Sequence, residues 1–191
     1  MDRTSLRRRM ALGLGAGALL VATAAGSAQA ADTVTQAITA GGLTASVANL
    51  ALPSVPYQNA ARDVTGTMTL TAEDTRGTGA GWKVTIQSSA FVYSGAATGP
   101  DIPAADFALT SAAAPVLVLG QPVDATAATG PQVPPTFAAG SLDTARQTIH
   151  ATAAYGQGRY TQQLAVTLTI PAMSDVGTYT GTLTTTITSA P

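Results

Sequence analysis

The amino-acid sequence predicts an all-β protein, a two-sheet antiparallel β-sandwich of immunoglobulin-like character, and three observations carry that expectation. Four segments alternate apolar and polar residues with a period of two, the mark of half-buried strands. Gly, Pro, Asn and Asp turns separate them, with no strand–helix–strand alternation to suggest a parallel α/β sheet. Threonine is plentiful while only 10% of residues are charged, so hydroxyls and amides must keep the surface wet. β-branched side chains also fit a pleated surface and lose less freedom there than in a helix.

Taken in chain order, an opening strand or two is expected between Thr33 and Leu50. Val64, Gly66, Met68 and Leu70 then interleave with Thr65, Thr67, Thr69 and Thr71, and Trp82, Val84 and Ile86 interleave with Lys83, Thr85 and Gln87. Short strands follow near Phe91–Tyr93 and Phe107–Thr110. Val116-Leu117-Val118-Leu119 is a continuous apolar run and reads as one buried strand. It sits within a Pro/Gly/Ala-rich stretch, about 111–140, that otherwise reads as a long irregular loop, a kind that tends to be mobile or functional. Ser141–Tyr155 mixes helical spacing (Leu142, Ala145, Ile149, Ala153) with alternation, and reads as strand from about Thr148. Leu164, Val166, Leu168 and Ile170 make a further alternating strand, and Tyr179 to Ile187 a last one, whose opposite face is a ladder of threonines from Thr178 to Thr188. Such a ladder suits a solvated outer face, although ladders of this kind also bind ice or glycans or carry O-linked sugars.

Residues 1–30 read as a signal peptide. Arg7, Arg8 and Arg9 form its basic region, Met10 to about Thr23 its apolar core, and Ala28-Gln29-Ala30 the small-residue cleavage site. About fourteen apolar residues reach roughly 21 Å as a helix, short of a ~30 Å hydrocarbon core, so a retained span is not expected. Residues 31–191 then form a single domain, large enough to bury about two-thirds of its unfolded surface without a staple. No cysteine is present, so no disulfide framework supports it. Four of the nine basic residues leave with the signal, and the remaining chain carries five basic and nine acidic residues, a net charge of −4. That balance excludes a nucleic-acid binder and a polybasic contact with anionic lipid.

Enzyme chemistry finds little to work with. His150 is the only histidine and lies in an apolar alternating segment, where a structural role is the expectation. No Ser sits in a nucleophile elbow and no metal-ligand cluster appears, so neither cofactor nor metal is expected. Glu73 and Asp74 are adjacent, and adjacent strand residues point to opposite faces; with Arg76 and Gly77 they read as a turn with local salt bridges and Asx-type hydrogen bonds. The run Arg76-Gly77-Thr78-Gly79-Ala80-Gly81 precedes a strand rather than a helix, which favours a tight hairpin over a phosphate loop. Asp175-Val176-Gly177-Thr178-Tyr179 has the spacing of a tyrosine corner, with Gly181 where immunoglobulin domains carry a cysteine. Trp82, the single tryptophan, either anchors the core or offers an exposed platform for sugars; Val84 and Ile86 on its face favour burial.

Two stretches together resemble the WxL cell-wall-binding domain family of Gram-positive and related bacteria. One runs from Asp74 through Arg76 and Gly81 to Trp82-Lys83-Val84-Thr85-Ile86, similar to the segment with the proximal W-x-L motif, here with Val84 in place of Leu. The other runs from Leu142-Asp143-Thr144-Ala145-Arg146 through Tyr155-Gly156-Gln157-Gly158-Arg159-Tyr160 to Gly177-Thr178-Tyr179-Thr180-Gly181-Thr182-Leu183-Thr184. Ile102-Pro103-Ala104-Ala105-Asp106-Phe107 is similar to the middle of such domains. The distal tryptophan is missing, its place taken by Leu164-Ala165-Val166-Thr167-Leu168. The resemblance implies a WxL-like sandwich over 31–191, exported to the cell surface and held non-covalently on peptidoglycan or another envelope polymer. Trp82, Lys83, Val84, Asp74 and Arg76 are its candidate wall-binding residues. Two alternatives stand beside it: a surface-layer or filament subunit assembled with itself or other surface proteins by strand addition through Ala31–Gly42, and a module for host or environmental glycans.

Overall fold

A computed structural model describes residues 35–123 and 130–189; the expected signal peptide lies outside them. Of the N-terminal unit, residues 1–37, only the exposed 35–37 are described, and residues from Ile38 onward form the compact unit considered below. Eleven strands appear among the described residues: β1 Leu43–Val47, β2 Arg62–Asp74, β3 Trp82–Ser88, β4 Val92–Gly95, β5 Phe107–Ala112, β6 Val116–Gly120, β7 Gly140–Ser141, β8 Arg146–Ala151, β9 Gly158–Ile170, β10 Gly177–Thr180 and β11 Leu183–Ser189. Every pairing is antiparallel.

The larger sheet runs β1-β2-β9-β5-β7, the smaller β11-β3-β8, and β4 and β10 form a ribbon. The two long strands, β2 and β9, pair along their whole length from Arg62 opposite Ile170 to Asp74 opposite Gly158. Alternation makes this sheet one-sided: Val64, Met68, Leu70 and Ala72 are buried with Tyr160, Leu164, Val166 and Leu168, while Thr65, Thr67 and Gln163 face outward. The smaller sheet presents Trp82, Val84, Ile86, Ile149 and Ala151 to the same core. The result is a β-sandwich, as the alternating segments predict.

Local chemistry explains where strand boundaries depart from the sequence reading. The expected last strand is two strands, broken at Gly181-Thr182, so that β10 pairs with β4 and β11 with β3. Three residues, Ser89 to Phe91, face the two-residue break, and the extra residue shifts the inward face from Ile86 and Ser88 to Tyr93. Alternation from Tyr179 to Ile187 runs unbroken through the gap, which is why the sequence reads as one strand. Thr178, Thr180, Thr182, Thr184, Thr186 and Thr188 all lie exposed. β8 begins at Arg146, two residues before the expected start, and its register shift skips Thr148; that bulge buries Thr148 and Ile149 together and blurs the period.

β6 corrects a second expectation. Val116–Leu119 is a strand, yet it is exposed throughout, with Val116 at 63% and Leu119 at 71%. β2 occupies one edge of β9 along its full length, so β5 and β6 share the other, one after the other. An apolar run implies burial only when both faces are covered. β6 lies at a sheet edge with β9 as its one strand partner among the described residues.

Candidate functional site

The five residues picked out by the W-x-L resemblance gather at one end of the sandwich. There the β2–β3 turn meets the β8–β9 turn. Gly77, Gly79 and Gly81 all adopt positive φ, which makes the run a tight hairpin, as its position before a strand predicts. A Cβ on Gly81 would lie 2.7 Å from the Ala151 carbonyl oxygen, so the turn is pressed against β8.

Trp82 is fully buried at 0% exposure. Its ring is tilted against Tyr160 at a centroid separation of 6.1 Å, and its indole N–H donates to the Gly156 carbonyl at 2.9 Å. Gly156, at φ 76°, stands where a Cβ would approach Trp82 Nε1 to 2.7 Å. The Tyr160 hydroxyl in turn donates to the Gln121 carbonyl at 2.8 Å. Val84 is equally buried.

Asp74 ends β2 on its buried face at 2% exposure. It accepts from the Arg76 backbone N–H at 3.0 Å, from Nε at 2.9 Å and from Nη2 at 2.8 Å. Arg76 Nη2 also donates to the Gly81 carbonyl at 2.9 Å, and Nη1 to the Ser189 hydroxyl. Burial pushes the Asp74 carboxyl up, but the hydrogen bonds and charge of Arg76 outweigh it and hold the carboxyl below its ordinary value. The expected Asx-type bond and Asp–Arg pair are thus present. Glu73 departs from the expected turn: it remains in β2 and points to the other face, where Arg159 of β9 donates to it at 2.9 and 3.0 Å. Of the five candidates, Lys83 is exposed and Arg76 partly so, while Trp82, Val84 and Asp74 are enclosed.

A groove occupies the opposite end, with a volume of about 620 Å³. Residues 50–58 form one wall and Ser174–Gly181 the other, over a floor of Phe91, Ile102, Leu168 and Ile170. The tyrosine corner builds the second wall: the Tyr179 hydroxyl donates to the Asp175 carbonyl at 3.0 Å, as the D-x-G-x-Y spacing predicts. The Tyr93 ring is tilted against Tyr179 at a centroid separation of 5.2 Å, and its hydroxyl donates to the Val176 carbonyl at 3.0 Å. The Phe91 ring lies against Gly181, filling the place where a cysteine would project. Burial raises the Tyr179 phenol, with the nearby Asp175 charge adding to it.

Sequence reading missed Tyr57, Arg62 and Asp175 as a group because the walls come from segments far apart in the chain. The visible signal was Pro53-Ser54-Val55-Pro56-Tyr57, an aperiodic stretch with an aromatic residue. His150 is half-buried on β8, bridged to Gln132 through backbone hydrogen bonds of 3.0 Å. Burial lowers the pKa of its ring, against a smaller opposing effect of a hydrogen bond with the Gln132 backbone. Among the described residues no group of three His, Cys, Asp or Glu side chains is placed to hold a metal.

The fold is thus that of a threonine-clad β-sandwich domain whose W-x-L-like segment braces a turn at one end, with an open groove at the other. A family model described as WxL domain surface cell wall-binding matches residues 25–191. The chain belongs to that family, and it is a protein of the cell surface and cell wall. No curated protein and no solved structure matches the chain.

Proposed function

We propose that the protein, exported through the signal peptide at residues 1–30, is held non-covalently on peptidoglycan or another envelope polymer by its folded sandwich. The observation that carries this reading is the match of the cell-wall-binding family over residues 25–191. The enclosure of Trp82 and Asp74 supports a division of labour. These two, with Arg76, brace the β2–β3 turn, and the exposed Lys83 remains for contact. Purified protein mixed with cell-wall sacculi is expected to sediment with them. Lys83→Ala, which removes an exposed side chain without touching the core, is expected to alter retention without altering the unfolding midpoint. Protein left wholly in the supernatant refutes wall binding.

One observation favours a second reading, a surface-layer or filament subunit assembled by strand addition. β6 presents an uncharged, apolar, exposed strand with an edge unpaired among the described residues, the kind of edge that accepts a strand from another chain. Sedimentation velocity is expected to show assembly that rises with concentration and disappears in Val118→Lys. A monomer at every concentration refutes it.

A further inference from the structure

We infer that the groove at the end opposite Trp82 is a saccharide site, taking a short stretch of N-acetylated glycan that bears carboxylate groups. This inference rests on the wall-binding reading and adds to it a second contact, at a place in the fold that the W-x-L segment does not reach.

Four features of the groove support it. Its volume of about 620 Å³ falls within the ~300–1,000 Å³ of small-molecule sites. Tyr57 stands on its wall at 56% exposure. The C–H face of a pyranose ring is apolar and slightly positive and stacks on the negative face of an aromatic ring. Trp82, the other candidate platform, has no exposed face to offer.

The polar complement also suits a sugar. Residues 49–57 lie outside any strand and make no backbone–backbone hydrogen bond among the described residues. Apart from Pro53 and Pro56, which have no N–H, and the Pro56 carbonyl, which accepts from Arg62, their backbone groups remain available to hydroxyl and acetamido groups, over an apolar floor suited to an acetamido methyl. Arg62 supplies charge. Its guanidinium makes one hydrogen bond among the described residues, Nη1 to the Pro56 carbonyl at 3.2 Å. Its remaining N–H groups match the planar geometry of a carboxylate.

Isothermal titration of the purified protein with glycan strands freed of their stem peptides tests the site. Binding is expected, at least tenfold weaker for Tyr57→Ala and restored by Tyr57→Trp, which keeps a stacking face. Arg62→Gln is expected to weaken binding of the carboxylate-bearing glycan and to leave binding of neutral N-acetylglucosamine oligomers unchanged. Tyr57 makes no hydrogen bond among the described residues, and a matching unfolding midpoint for Tyr57→Ala shows that the variant folds. No binding of stripped glycan, binding of free stem peptides alone, or equal affinity in Tyr57→Ala overturns the inference. Co-sedimentation of wild-type protein with whole sacculi, measured in parallel, separates the two claims. Sedimentation with a flat glycan titration removes the groove and leaves wall attachment standing. Glycan binding without sedimentation keeps the groove and removes wall attachment.

Discussion

Trp82→Ala is expected to lower the free energy of unfolding by about 3–5 kcal/mol, the usual cost of truncating a buried aromatic residue. The side chain is fully enclosed, packs on Tyr160 and satisfies the Gly156 carbonyl with its N–H. Alanine would leave a cavity between the sheets and an acceptor without its donor. Against a typical total of about 5–15 kcal/mol, that is a large fraction of the fold's stability. Urea unfolding followed by circular dichroism measures it, and an unchanged midpoint refutes the bracing role. Poor wall retention of this variant would therefore report unfolding before it reported a lost contact. Trp82→Phe keeps a ring in the core; under conditions where that variant is folded, retention is expected to match wild type.

Asp74→Ala is expected to cost about 3 kcal/mol, the lower end of the range for removing one member of a buried ion pair. The lower end applies because the Arg76 side chain keeps 16% of its exposure while that of Asp74 keeps none. The variant leaves Arg76 without its bidentate partner and loosens the turn that leads into Trp82. The same pair sets an acid dependence. The folded carboxyl titrates below its unfolded value, so its contribution is fully present above an unfolded pKa of about 3.9 and is lost as pH falls through the folded value. Urea midpoints measured from pH 6 downward are expected to fall more steeply below about pH 4 for wild type than for Asp74→Asn. Parallel profiles contradict the assignment.

Much of this fold is legible in the sequence because one face of each long strand is buried. The alternations around Met68, Val84 and Val166 mark their inward residues directly. D-x-G-x-Y foretells the Tyr179 bond because that motif closes on itself within five residues. What stays hidden depends on register or on coverage. Glu73 finds Arg159 only because β2 and β9 pair from Asp74 opposite Gly158. The exposure of β6 depends on which neighbours share β9, and nothing in Val116–Leu119 encodes that. Thr148 conceals a bulge, since an extra residue in one strand leaves no mark in composition. The candidate site divides in the same way. Trp82, Asp74 and Arg76 come together because they are close in sequence. Tyr179 joins Tyr57 and Arg62, more than a hundred residues earlier in the chain, only after the sheets have formed.

The central claim is that the single tryptophan supports the domain from within while other surfaces meet the wall. Because Trp82 is the only tryptophan, its fluorescence reports on that position alone. Blue-shifted emission, little quenching by iodide, and no change on saturation with solubilised peptidoglycan are the expected results. Red-shifted emission that iodide quenches, and that added peptidoglycan protects, would place Trp82 at the wall and contradict the account.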